Sequence, residues 1–323
     1  MMKKVLVVGG GGYVGTRLVM ELVRRKYDVT VVDLFWFGNY LPSNVNIIKE
    51  NAMNLQPEDV EGYDCVIFLA GLSNDPMADF SPNRNFIENT SVPSYLAYIS
   101  KKMGVSRFIY AGSCSVYGFT DNKPLDEDSF INPQYPYGIS KLLGETGVMT
   151  LADENFKPIS LRQGTVGGWS PRMRFDLVVN TMTKFALTEK QITVHNPNLW
   201  RPLIDIRDIV TAYIKCIESD LGVSGVYNIS HQNYTIGDLA KEIHTALEDR
   251  GHVVDVLIQH KEDVRNYKVD TKKAKRDLNF EAKYTPTDSI KDIFDNMDLN
   301  NADFSDKNFY NIQTFKDVVR KWI

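Results

Sequence analysis

Apolar positions along this chain recur at two spacings, and the switches between them mark out the elements. Val5-Leu6-Val7-Val8 is a short β-branched run that reads as a strand buried on both faces. Residues 13–25 then repeat apolar positions at helical spacing, and Val29–Val32 is a second buried strand closing on Asp33. Val45–Ile48 and Asp64–Leu69 are further strands. Residues 82–102 keep a helical period in spite of Pro93, Arg107–Tyr110 is a strand, 137–153 a helix and Ile159–Arg162 a strand. This alternation predicts an α/β fold with a doubly wound parallel sheet. Residues 34–45 and 119–136 read as loops. Beyond Gly164 the rhythm is lost, although Thr235 opens one helix and 287–297 forms another. The polar tail from Asp298 to Ile323 ends weakly amphipathic and receives no role.

The glycines between the first strand and helix give this pattern a chemistry. Gly10, Gly12 and Gly15 satisfy G-x-G-x-x-G, and Gly9, Gly12 and Gly15 satisfy G-x-x-G-x-x-G. Strand, glycine turn, helix, strand and acid, in that order, form the dinucleotide-binding fingerprint of a Rossmann-type unit. The glycines allow the tight turn, the approach of a pyrophosphate and close helix–strand packing. The helix N-terminus, with Tyr13 and Val14, then offers unpaired N–H groups to the phosphates. Asp33 suits the adenosine ribose hydroxyls and repels a 2′-phosphate, which favours NAD over NADP. Asn51 and Ala52 fall where the adenine would sit. Leu69, Ala70 and Gly71 are small enough in part to let the cofactor pass close to the backbone. The aromatic stretch LFWFGNYLPSNV is either a packing patch or part of the adenosine site.

Composition narrows the class. The 323 residues are 43% hydrophobic and 24% charged, as in an ordinary globular enzyme. A net charge of −4 argues against broad capture of nucleic acid. No run approaches the roughly 18 apolar residues of a membrane span, and the N-terminus does not read as a signal peptide. Cys65, Cys114 and Cys216 are an odd number and suggest reduced thiols, hence a cytoplasmic setting. The five histidines have no ligand spacing, so no metal is expected.

Tyr137 and Lys141 form Y-x-x-x-K, which puts both side chains on one helix face. A tyrosine is a poor base until a nearby cation favours its phenolate. Ser113, at the end of the preceding strand, can hydrogen-bond a reacting oxygen.

With these motifs in place, the chain resembles an extended short-chain dehydrogenase/reductase of the NAD-dependent nucleotide-sugar epimerase/dehydratase group. The resemblance runs over roughly residues 3–297. It is carried by GGGGYVG, Asp33, FLAG at 68–71, Ser113 with SVYG, YGISK at 137–141 and WRPLIDIRD at 200–208. It implies an NAD-binding Rossmann domain over 1–165, with excursions, and a smaller C-terminal α/β nucleotide-sugar-binding domain over 166–323. It also implies that Tyr137 takes a proton from a sugar hydroxyl, often at C4. Lys141 would hold the cofactor ribose and Ser113 would orient the sugar oxygen. Arg201, and Arg265 in RNYKVDTKKA, match positions that bind the substrate's diphosphate, where a guanidinium fork suits a dianion. Ser115, Arg172 and Arg174 are further substrate candidates. A homodimer through helices near 84–102 and 137–153 follows from the same resemblance.

Departures from the pattern narrow the reaction. Dehydratases of the family carry an Asp-Glu pair directly after the catalytic threonine, where this chain has Cys114-Ser115. Its GDP-fucose synthases place a cysteine two residues after the serine, where this chain has Ser115. What remains is redox at one carbon by a 4-epimerase or C4 dehydrogenase using NAD. The alternatives are a 4-keto-sugar reductase, which Asp33 disfavours, and a non-catalytic NAD(P)-binding regulator on the same fold.

Overall fold

The computed structural model describes residues 3–259, 266–299 and 301–320. Its centre is a seven-stranded, all-parallel sheet. The spatial order is Gly225–Ile229, Lys157–Gln163, Arg107–Ser113, Cys65–Phe68, Lys4–Val8, Asp28–Val32 and Asn46–Ile48. The apolar runs are continuous because both faces are covered. Val5 and Val7 face one core with the helices Tyr13–Arg24 and Ile206–Glu218, while Leu6 and Val8 face another with Val92–Lys102. Strand order reverses on either side of Lys4–Val8, and a crevice at such a point is where ligands enter open α/β sheets.

The chain recrosses the expected boundary at 165/166. Gly225–Ile229 pairs with Lys157–Gln163 at the sheet edge, and Ile206–Glu218 and Lys272–Leu278 pack on the sheet. The other region holds a three-stranded sheet, Gln232–Thr235, Trp200–Asp205 and Thr165–Gly167, and a strand pair, Gln191–His195 with Asp255–Gln259. Its core is made by residues such as Val179, Ile192, Leu203, Leu239, Ile243 and Ile290.

One loop expectation is corrected. Within 119–136, Phe119–Leu125 is a strand pairing in parallel with Asn266–Val269. Its polar sequence and Pro124 hide it, because such a two-stranded ribbon needs no apolar alternation. The helical run 82–102 also has an interruption, since Ile87–Ser91 is a π-helical turn between Pro82–Phe86 and Val92–Lys102. Pro93 has no N–H for the Asn89 carbonyl, which accepts the Tyr110 hydroxyl at 3.1 Å instead. No helix among the described residues is long and apolar enough to cross a membrane.

Candidate active site

At the carboxyl ends of the central strands the glycine turn opens onto a cleft. Gly9 has φ +87°, and a Cβ there would lie 2.4 Å from the Ala70 nitrogen. A Cβ on Gly15 would lie 2.4 Å from the Gly9 carbonyl oxygen, so helix and turn touch only because neither residue has a side chain. Helix Tyr13–Arg24 begins at Gly12 with no side-chain cap, leaving its first N–H groups toward the cleft. Asp33 braces the turn, accepting from Gly11 N at 2.9 Å and Phe35 N at 2.7 Å. Burial raises its pKa, and those N–H groups and the Arg172 charge act against the rise.

The cleft brings together Gly9, Gly12, Tyr13, Val14, Gly15, Asp33, Asn51, Ala52, Leu69, Ala70 and Gly71. Trp36 and Phe37, from the aromatic loop, line it as well. So do Arg172 and Arg174, which stand on the same wall system as Asp33, together with Ser73 and Asn311. Arg174 forms a fork to Asp176 at 2.7 and 3.0 Å and reaches Ser73 Oγ at 3.2 Å.

Ser113 acts on Tyr137, and Tyr137 feels the charge of Arg174 on the cleft wall. Ser113 ends its strand and caps the next turn, accepting from Ser115 N at 3.2 Å and Ser115 Oγ at 2.8 Å. It also lies close enough to Tyr137 to act on that hydroxyl. Burial pushes the Tyr137 hydroxyl up to about 12, Asp75 adds to this, and Ser113 and the Arg174 charge oppose it. Arg174, a cleft residue, therefore also acts on Tyr137. Lys141 is almost fully buried and donates to the Ala111 carbonyl at 3.0 Å, with its ammonium 5.1 Å from the Tyr110 ring centre. Burial brings its pKa down to about 8. The cation expected to tune Tyr137 is thus directed at a backbone oxygen and a ring, and Arg174 is the cation that acts on the phenol.

The helix Pro136–Met149 that carries Tyr137 and Lys141 is held from two sides. Asn89, just before Pro93, donates to Leu72 O and Asn85 Oδ1 at 2.9 Å and to Ser140 Oγ at 3.2 Å. On the other side Glu145 pairs with Arg162 at 2.7 Å and accepts from Ser160 Oγ at 2.8 Å. Arg162 in turn donates to Tyr117 Oη, whose hydroxyl donates to Asn228 Oδ1, each at 2.8 Å.

Arg201 lies away from the cleft on Trp200–Asp205, buried, donating to its neighbour's carbonyl at 2.8 Å. Its guanidinium is 5.8 Å from the Tyr267 ring centre. Arg265 lies outside the described residues. Cys114 is buried with its thiol on the Arg162 carbonyl at 3.1 Å, and burial pushes its pKa up, so it behaves as a packing residue.

Residues 5–230 match the NAD dependent epimerase/dehydratase family. The chain belongs to that family. Curated relatives of similar length include UDP-glucose 4-epimerase of Corynebacterium glutamicum, 24% identical over 89% of this chain and 93% of its own. Another is the probable UDP-arabinose 4-epimerase 3 of Arabidopsis thaliana, 24% identical over 87% and 77%. A solved UDP-N-acetylglucosamine 4-epimerase from Methanobrevibacter ruminantium shares the fold with a TM-score of 0.82, at 24% identity over 92% of this chain and 99% of that one. A UDP-glucuronic acid 4-epimerase from Bacillus cereus, solved with UDP-glucuronic acid and NAD, gives 0.79 at 23% identity over 90% and 98%. The glycine cradle, the uncapped helix N-terminus and the Arg172 guanidinium on the cleft wall together fit the family's dinucleotide.

Sequence reading missed Asn89, Ser73, Asp176 and Asn311. Pro93 inside a helical run is a signal that a carbonyl at position 89 is released. Ser73 and Asn311 are 238 positions apart, and no local pattern joins them.

Proposed function

We propose that this chain is an NAD-dependent 4-epimerase of a nucleotide-diphosphate sugar. The observation that carries the reading is that Ser113 and the cleft residue Arg174 both act on the Tyr137 hydroxyl, next to the glycine-cradled cleft that Arg174 lines. Tyr137 Oη accepts the proton of the C4 hydroxyl and later returns one, with Ser113 Oγ orienting the same oxygen. Ser113 and the Arg174 charge lower the cost of the phenolate in a buried site. Bound NAD supplies the hydride acceptor and donor at C4 and a positive ring that favours the phenolate further. Lys141 takes the nicotinamide ribose, and Arg201, with Arg265, takes the substrate's diphosphate. Substrate enters from the region of 166–323, which forms the smaller domain, while 1–165 and the returning segments form the NAD domain.

Dehydration has no support in the side chains, since Cys114 is committed to a carbonyl and Ser115 to Ser113. Ile87, Tyr95, Tyr98 and Leu143 are exposed on the two helical segments expected to pair, which supports a homodimer. Three buried free cysteines support a reducing, cytoplasmic setting. The direct test is incubation with UDP-, GDP-, CDP- and dTDP-hexoses in deuterated water, read by NMR. A C4 epimer that keeps its original hydrogen at C4 is expected. A 6-deoxy-4-keto product, or solvent deuterium at C3 or C5, would overturn the assignment.

A further inference from the structure

We propose that Arg172 and Asn311 form a latch on the dinucleotide's pyrophosphate, by which the C-terminal helix Asn311–Arg320 keeps the cofactor bound between turnovers. This rests on reading the cleft as the NAD site.

The helix lies beyond the residues that match the family, yet it is fastened to both banks of the cleft. Phe315 is fully buried against Leu72 and Met77. Its ring centre lies 5.7 Å from that of Trp36 and 6.0 Å from that of Phe80. Trp36 belongs to the loop after Asp33, and Leu72 to the loop after Gly71, so one side chain bolts the two loops together. One helical turn earlier, Asn311 lines the cleft itself. Its Nδ2 donates to Ser73 Oγ at 2.6 Å, and its Oδ1 accepts from Arg172 Nη2.

Arg172 is 2% exposed and packs its guanidinium 3.6 Å from the Phe37 ring centre. Its Nε has no hydrogen-bond partner among the described residues. A buried guanidinium N–H left without an acceptor is costly. The charges around Arg172 are Asp33, Asp176, Arg174 and the Tyr40 hydroxyl. Each carboxylate is already engaged, Asp33 by Gly11 and Phe35 and Asp176 by Arg174. Arg172 shares the cleft with the uncapped N-terminus of helix Tyr13–Arg24. Two donors of positive potential facing one space select an anion, and the pyrophosphate is the dinucleotide's anionic part. An anion held by Arg172 would thus be tied through Asn311 to the C-terminal helix. Retention suits an epimerase, which returns the hydride to its own substrate and has no need to exchange NAD.

The test loads wild type, Asn311→Ala, Phe315→Ala and Arg172→Met with labelled NAD and follows its loss on dilution into unlabelled NAD. Far-UV circular dichroism and thermal melts establish that each variant is folded. Dissociation about ten-fold faster or more is expected in every variant, the scale of one charge-assisted hydrogen bond. Phe315→Ala contacts no ligand and reports the latch alone. Folded Asn311→Ala and Phe315→Ala proteins that release NAD at the wild-type rate would overturn the latch while leaving the NAD site intact. Wild type that binds no NAD at all would overturn the reading of the cleft and the latch with it.

Discussion

Lys141 donates its ammonium to the Ala111 carbonyl at 3.0 Å, in a buried position where its pKa falls to about 8. An unfolded lysine titrates near 10.5. Between those values the unfolded chain holds the extra proton, so stability rises with pH across the window and is lost as pH falls through it. The span corresponds to about 3 kcal/mol. Denaturation of wild type and Lys141→Met without cofactor should therefore give a difference that shifts in favour of wild type between about pH 8 and 10.5. A difference independent of pH would mean that Lys141 is solvated.

Glu145 and Arg162 are both nearly inaccessible and bind through two guanidinium nitrogens. Glu145→Ala leaves the guanidinium buried without its counter-charge. The expected loss is about 3–5 kcal/mol in urea unfolding. Replacing both residues by apolar ones should recover part of it, and a loss under about 1 kcal/mol in the single variant would show that water reaches Arg162.

Much of this was legible in advance, for a physical reason. The fingerprint, Asp33, Tyr137 and Lys141 lie on elements whose period is set by a buried sheet, so pattern and chemistry coincide. The strand Phe119–Leu125 was not legible, because its own sequence is polar and carries Pro124 and its partner Asn266–Val269 is remote. The place of Arg172 on the cleft was not legible either. It depends on Asn311 and Phe37, which are far from Arg172 along the chain.

Asp33 is the residue predicted to set cofactor choice. Wild type should bind NAD more tightly than NADP, since a 2′-phosphate would meet its carboxylate. Asp33→Ala should narrow that ratio and weaken NAD too, because Gly11 N and Phe35 N lose their acceptor. Equal dissociation constants for NAD and NADP in wild type would contradict the role.

Tyr98 is 45% and Leu143 46% exposed on neighbouring helices. Leu143→Glu and Tyr98→Glu should each shift the protein toward monomer in light scattering, without loss of fold. A wild type that is monomeric, or a dimer that both variants leave intact, would place any interface elsewhere.

The most direct measurement is single-turnover reduced-nicotinamide absorbance on mixing NAD-loaded protein with its cognate nucleotide sugar. Wild type should form a reduced-cofactor signal that decays as epimer appears. Tyr137→Phe keeps the ring but removes the proton acceptor, so folding and NAD content should survive while the signal forms about 10²–10⁴-fold more slowly. Hydride transfer by Tyr137→Phe at near the wild-type rate would contradict Tyr137 as the proton-transfer group and, with it, the assignment of this site.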